Sequence, residues 1–276
     1  MKNIFCIDLE DWYHQSLTPQ NIDKLTPRVE QNTDRLLQIF SDTNTKATFF
    51  TLGQIAQRHP ELIRKIQKEG HEIACHGYNH ELLYSFTPEN FREDVKKASA
   101  LIEDACGAKT RGYRAPSWSV NDSTIWALEI LQELGFEYDS SVFPVKNFLY
   151  GMPHEPRFAH QREVNGKPFW EIPPSTFSFF GKNMGFSGGF YFRAFPTGMM
   201  KTVTNHINKQ EHPAVFYLHP VEIDRGHPKS KVNLRDSIIL NWGIGGCEKK
   251  LIKILSSYEF VTIENYYLKE GQDTNA

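Results

Sequence analysis

The sequence has few cysteines and none that are paired. Cys6, Cys75, Cys106 and Cys247 stand far apart in 276 residues, and no CxxC spacing occurs, so neither a thiol redox motif nor a cysteine-rich metal ribbon is present. Each cysteine lies in an apolar run, where a free thiol packs as a small hydrophobe, and a reducing compartment is the expectation. No stretch of about 18 apolar residues exists, so no membrane span is expected. The opening MKNIFCIDLEDW holds an apolar run that Asp8 breaks at once, too short for the core of a signal peptide. A cytoplasmic location is expected. An excess of one charge is missing too: 31 Lys and Arg face 33 Asp and Glu, a net charge of −2, and no global field draws nucleic acid. Internal repeats, low-complexity tracts and flexible linkers are absent. A single domain over residues 1–276 is the expectation, with only EGQDTNA reading as a frayed tail.

What is present is ordinary globular composition, 39% hydrophobic and 23% charged, enough for a sizeable core. The 20 Phe and 11 Tyr fill such a core by default, although they could line a saccharide cleft. Short apolar runs alternate with helical patterns along the chain, the signature of βα units. The runs are Ile4 to Ile7, Ala47 to Leu52, Glu72 to Cys75, Gly112 to Arg114, Phe136 to Tyr138, Trp170 to Ile172, Val215 to Leu218 and Phe260 to Ile263. Thr26 and Pro27 open a helix whose inner face is Val29, Thr33, Leu36, Leu37 and Phe40. Thr87 and Pro88 open a second that Gly107 closes, and a third runs from Ser123 to Leu134. From about Val145 to Phe195, Pro, Gly and aromatic residues dominate, and long loops are expected there.

Asp8, His76, Arg114, Asp139 and His219 each stand at or just past the end of a predicted strand, the face from which catalytic groups converge in βα barrels. CHGYNH places His76 and His80 four residues apart. In a helical turn both imidazoles would point the same way and could share a metal, or they could simply cap a turn. DLED, Asp8 to Asp11, crowds three carboxylates at an apolar strand end, which a cation would satisfy. Alternatively only Asp8 is enclosed, and Glu10 and Asp11 are solvated loop charges. Arg114 precedes Ala115 and Pro116, which hold the chain extended. It is placed either to pair inward with Asp8, keeping it ionised, or to lie on the surface. His219 follows AVFYL and precedes Pro220, as a held imidazole or a core histidine.

Five motifs in order, DLED, HGYNH, RAPS, YDSS at Tyr138 to Ser141 and YLHP at Tyr217 to Pro220, resemble the polysaccharide deacetylases of the NodB-homology type, carbohydrate esterase family 4. FCIDLEDWYH and LHPVEID are most similar to the members associated with exopolysaccharide biosynthesis. The resemblance spans residues 4 to 220 and leaves a subgroup-specific extension from about 225. It implies an α/β fold, a distorted (β/α) barrel of about seven strands, and one divalent metal ion, usually Zn2+. It further implies Asp8 as base, His219 as acid, Arg114 orienting Asp8, and His76 and His80 as ligands with Glu10 or, through a bulge, Asp11 as the third. Ser117 stands where an aromatic residue is common, and YDSS replaces a tryptophan-bearing motif. Ser117, Trp118 and Asp139 are therefore the expected substrate contacts, with burial of the Trp118 ring in the core as the alternative for that residue. The implied reaction is hydrolysis of an acetamide on an N-acetylhexosamine saccharide or polysaccharide precursor. A metal-dependent amidase acting on a formamide, ureide or cyclic imide, and a catalytically silent saccharide-binding protein, are the competing possibilities. Oligomeric state is not addressed by any of these residues.

Overall fold

The computed structural model describes residues 1–18, 26–146, 151–229 and 231–269. Two compact units are formed, Met1–Thr48 with Phe186–Ala276, and Phe49–Gly185. The first opens with β1 (Asn3–Leu9), buried at every position, as a strand covered on both faces requires. The helix α1 (Val29–Asp42) buries the predicted face, but it starts at Val29 rather than at Thr26 and Pro27. Its first N–H groups are satisfied from a distance in sequence: Asp11 Oδ2 accepts from Arg28 N at 2.8 Å and Val29 N at 3.1 Å.

The second unit begins within β2 (Thr48–Thr51) and continues α2 (Gly53–Arg58), α3 (Pro60–Lys68), β3 (Glu72–Cys75), α4 (Pro88–Cys106), β4 (Gly112–Tyr113), α5 (Ala127–Glu133) and β5 (Tyr138–Asp139). The predicted limits of α4 hold: Thr87 Oγ1 accepts from Asn90 N at 3.3 Å, and Gly107 ends the helix at φ 71°. Then come β6 (His160–Val164) and β7 (Lys167–Glu171), antiparallel partners, followed by the hairpin β8 (Thr176–Phe179) and β9 (Lys182–Gly185). Loops were expected over most of this stretch. The turn signal was nevertheless present, because Asn165 and Gly166 at φ 49° and 71° make the doubly left-handed two-residue turn that joins hairpin strands. The strands were hard to see because they are half-exposed and carry little hydrophobic patterning. Residues 147–150 of the expected loop lie outside the described residues.

Parallel pairing runs from β3 through β4 and β5 to β7, with Cys75 beside Tyr113, Tyr113 beside Asp139 and Asp139 beside Glu171. The residue after each strand is thereby brought to one end of the sheet.

The chain returns to the first unit with α6 (Gly189–Ala194), α7 (Thr197–Asn208), β10 (Val215–Leu218), α8 (Leu234–Asn241), α9 (Ile244–Leu255) and β11 (Phe260–Val261). Both β10 and β11 lie parallel to β1, with Ile7 beside Leu218. The aromatic residues do fill a core here. Phe5 packs on Phe40, Phe216 and Phe260 at centroid separations of 5.8, 6.2 and 5.6 Å. All four cysteines are buried. The class is α/β as expected, and β1 to β5, β7, β10 and β11 fall on predicted runs; β6, β8 and β9 are the additions. No helix among the described residues is long and apolar enough to cross a membrane.

Candidate active site

In the second unit, His76 follows β3 directly, its N–H bonded to Thr51 O at 2.9 Å. Its Nδ1 lies 2.6 Å from the carbonyl oxygen of Arg114, which can only accept, so Nδ1 carries the proton and Nε2 keeps the lone pair that a metal ion would use. The predicted helical turn over HGYNH does not form. A bend replaces it, with Gly77 at φ 76° and His80 at φ 57°, and it still sets the two imidazoles 5.4 Å apart. Helix α2 and Asp94 fix this bend: Gly53 N and Gln54 N donate to the carbonyls of Gly77 and Tyr78, and Tyr78 N donates to Asp94 Oδ2 at 3.0 Å. Burial pushes the Asp94 carboxyl up to about 6.

Arg114, next after β4, is wholly buried, which removes the surface alternative. Its guanidinium lies 3.9 Å from the Phe50 ring centroid and 4.8 Å from that of Trp118. Nε donates to Ser140 O at 3.2 Å and Nη2 to Ser140 Oγ at 2.9 Å. Ser117 and Trp118 both hold left-handed backbone, φ 50° and 54°, at a cost of about 1–3 kcal/mol each, strain of the kind that gathers at functional turns.

Two expected substrate contacts are corrected. The Trp118 ring is buried against Phe143 at 5.4 Å and beneath Arg114, so it is core rather than a saccharide platform. Asp139 is wholly buried, and its carboxylate accepts both the hydroxyl and the N–H of Ser141, at 2.6 and 2.9 Å. It is a structural carboxylate. Ser117 remains half-buried on its strained turn.

In the first unit, the β1–β10 register brings Asp8 level with His219. Nε2 of His219 stands 3.8 Å from Asp8 Oδ2 and 3.7 Å from Glu10 Oε1. Its Nδ1 faces Glu222 Oε2 at 3.3 Å, and the same oxygen accepts the His219 N–H at 3.0 Å. Glu222 is held in turn by Arg193 Nε at 2.8 Å, and Arg193 by the carbonyls of Trp242 and Ile239. Burial opposes the charged imidazole. The bond to Glu222 and the charges of Glu10, Glu222 and Asp8 outweigh it and raise His219 to about 9.

Asp8, Glu10 and Asp11 are all buried, so Glu10 and Asp11 are not solvated loop charges. Asp11, weighed as a metal ligand, is instead occupied by backbone: besides capping α1 it accepts from Trp12 N at 2.8 Å. The second unit offers two buried imidazoles, His76 and His80, with ring centroids 5.4 Å apart, and the first unit a buried carboxylate, Glu10; these are the donor types of a three-ligand zinc site. Glu222, Arg193 and Glu171 are the functional candidates absent from the sequence-predicted set. Glu222 had a signal, because His-Pro-x-Glu has the spacing of a capping box, and that box forms. Arg193 had none.

Residues 20–138 match the family model described as polysaccharide deacetylase, and residues 140–268 match one described as a domain of unknown function (DUF3473). The chain is 32% identical over 125 residues to a peptidoglycan deacetylase of Helicobacter pylori, covering 45% of this chain and 42% of that protein. It is 30% identical over 98 residues to a peptidoglycan-N-acetylglucosamine deacetylase of Bacillus cereus, covering 35% and 36%. The chain thus spans less than half the length of these curated relatives. A crystal structure described as a putative polysaccharide deacetylase from Mycobacterium smegmatis superposes with a TM-score of 0.65 at 23% identity, covering 99% of this chain and 91% of that one. That likeness shows the fold.

Proposed function

We propose that this chain, which belongs to the polysaccharide deacetylase family through residues 20–138, is a zinc-dependent hydrolase removing N-acetyl groups from an N-acetylglucosamine-containing saccharide or polysaccharide precursor, in the setting of exopolysaccharide synthesis. The observation carrying the reaction type is a buried carboxylate and imidazole, Asp8 and His219, standing 3.8 Å apart and suited to move protons, in a chain that also holds the paired imidazoles of His76 and His80. The saccharide comes from the relatives' substrates.

His76 and His80 through imidazole nitrogens, and Glu10 through a carboxylate oxygen, would hold the ion. Once bound, it supplies Lewis-acid polarisation of the amide carbonyl and makes a water easier to deprotonate. Asp8 would take the attacking water's proton as general base, with Arg114 as its proposed orienting cation. A backbone N–H near Ser117 completes the oxyanion site. His219 delivers a proton from Nε2 to the departing amine, while Glu222, on Nδ1, fixes the ring and favours its charged form.

The deciding experiment incubates zinc-loaded protein with N-acetylglucosamine oligosaccharides and measures free acetate. Acetate release, abolished in Asp8→Asn while bound zinc stays at about one per chain, is the expected result. Hydrolysis of a non-sugar amide with no acetate from any saccharide would replace this function by the amidase alternative, and zinc binding without any hydrolysis would leave a silent binding protein.

A further inference from the structure

Asp139 and Glu171 face one another across the β5–β7 register, wholly buried and within hydrogen-bonding reach. The hydrogen bonds around them have directions that can be read in full. Asp139 Oδ2 accepts the Ser141 N–H and Oδ1 accepts the Ser141 hydroxyl, so Asp139 acts as an ionised acceptor. Having spent its proton on Asp139, Ser141 Oγ must accept, and it does so from Ala115 N at 2.7 Å. Ser140 repeats the pattern one residue earlier. Its hydroxyl donates to Ile172 O at 2.6 Å and accepts from Arg114 Nη2 at 2.9 Å. On Glu171, Oε1 accepts from Val142 N at 3.1 Å, whereas nothing among the described residues donates to the buried Oε2. Two bare carboxylates cannot occupy this place, and Oε2 is the position left for a proton.

We propose that Glu171 is protonated at Oε2 and donates to Asp139, and that this shared proton lets Asp139 hold the Ser140–Ser141 turn onto Arg114 and Ala115. Glu171 and Asp139 are thus positioning residues for Arg114, a role resting on the function assigned above to Arg114. Burial, then the Asp139 charge, hold the Glu171 carboxyl well above the usual carboxylate range. The other groups facing the pair are Arg162 on β6, whose charge favours ionisation of both acids, and the Tyr113 phenol on β4, itself raised chiefly by burial. They leave Glu171 as the proton's site.

A carboxyl whose folded pKa is raised contributes stability below its unfolded value, near 4.5, and loses it as pH rises through the folded value. Glu171→Gln keeps an N–H donor toward Asp139 and an acceptor for Val142 but cannot ionise. Thermal unfolding of wild type and E171Q is compared from about pH 5 to about pH 9. The difference in Tm is expected to move steadily in favour of E171Q as pH rises, with kcat at neutral pH within about threefold of wild type. Glu171→Ala is expected to lose about tenfold or more in kcat, with KM changing less, through displacement of Arg114. Parallel pH curves for wild type and E171Q would overturn the shared proton. Full kcat in E171A would overturn the positioning role. Because Tm is read without substrate, a wild-type enzyme inactive on saccharides would refute the functional assignment and leave the proton test standing.

Discussion

His219 is surrounded by carboxylates with different tasks, and distance separates them. Asp8 and Glu10 stand 3.8 and 3.7 Å from Nε2, the atom proposed to protonate the leaving group, while Glu222 approaches Nδ1 and is braced from behind by Arg193. Glu222 is therefore an orienting anion. Burial disfavours its charge, but the bond from His219 and the Arg193 cation prevail and hold its carboxyl below the usual range. Glu222→Gln keeps the shape and removes the charge. A fall in kcat on the order of 10- to 100-fold, with KM nearly unchanged, is expected from steady-state kinetics on an N-acetylated oligosaccharide. An unaltered kcat would show that His219 needs no such partner. The depressed pKa has a second consequence: the stability Glu222 contributes is present above about pH 4.5 and is lost as pH falls through its folded value. E222Q should accordingly lose less stability than wild type on acidification, as followed by denaturant unfolding.

Elements decide what those residues can reach, and here the sequence was only partly legible. The i, i+4 spacing of His76 and His80 correctly brought two imidazoles together for the wrong reason, since a left-handed bend bolted to α2 and Asp94 does the work assigned to a helix. The start of α1 was misplaced because its cap comes from Asp11, a partner that no local pattern at Thr26 and Pro27 can reveal. That cap also separates Asp11 from Glu10, which adjacency alone left ambiguous. Asp11→Ala should cost about 1–2 kcal/mol in denaturant unfolding by stripping the helix N-terminus, and should leave zinc stoichiometry unchanged. Loss of zinc would restore Asp11 as a ligand. Strand β4 offers a steric check: a Cβ at Gly112 would sit 1.8 Å from the Tyr138 ring, whose hydroxyl is anchored on Glu72. Gly112→Ala should therefore destabilise by about 3 kcal/mol or more.

Across the whole molecule, fold class followed from the alternation of apolar runs and helical patterns, because strands buried on both faces must be apolar throughout. The half-exposed strands β6, β8 and β9 escaped for the converse reason. Long-range partnerships such as Arg193 with Glu222, or Glu171 with Asp139, join residues remote in sequence and could not be seen before folding. They also change the meaning of residues 140–268. That segment carries His219, Glu222, Arg193, Ser140 and Glu171, so it supplies the proposed acid and its supports rather than an appendage to residues 20–138. The proposed metal binding would then be a property of the folded chain, because His76 depends on the Arg114 carbonyl for its tautomer and His80 on the bend for its direction. An ion that binds only the folded state stabilises it by about 2.7 kcal/mol at a hundredfold excess over Kd. For a chain of this length that corresponds to a rise in Tm of roughly 5 °C or more. Zinc added to chelator-stripped protein should produce such a rise in calorimetry, and His76→Ala should unfold at one temperature with or without zinc. A Tm indifferent to zinc in the wild type would mean that the donor set is occupied by protons and hydrogen bonds alone, and the hydrolase mechanism would fall with it.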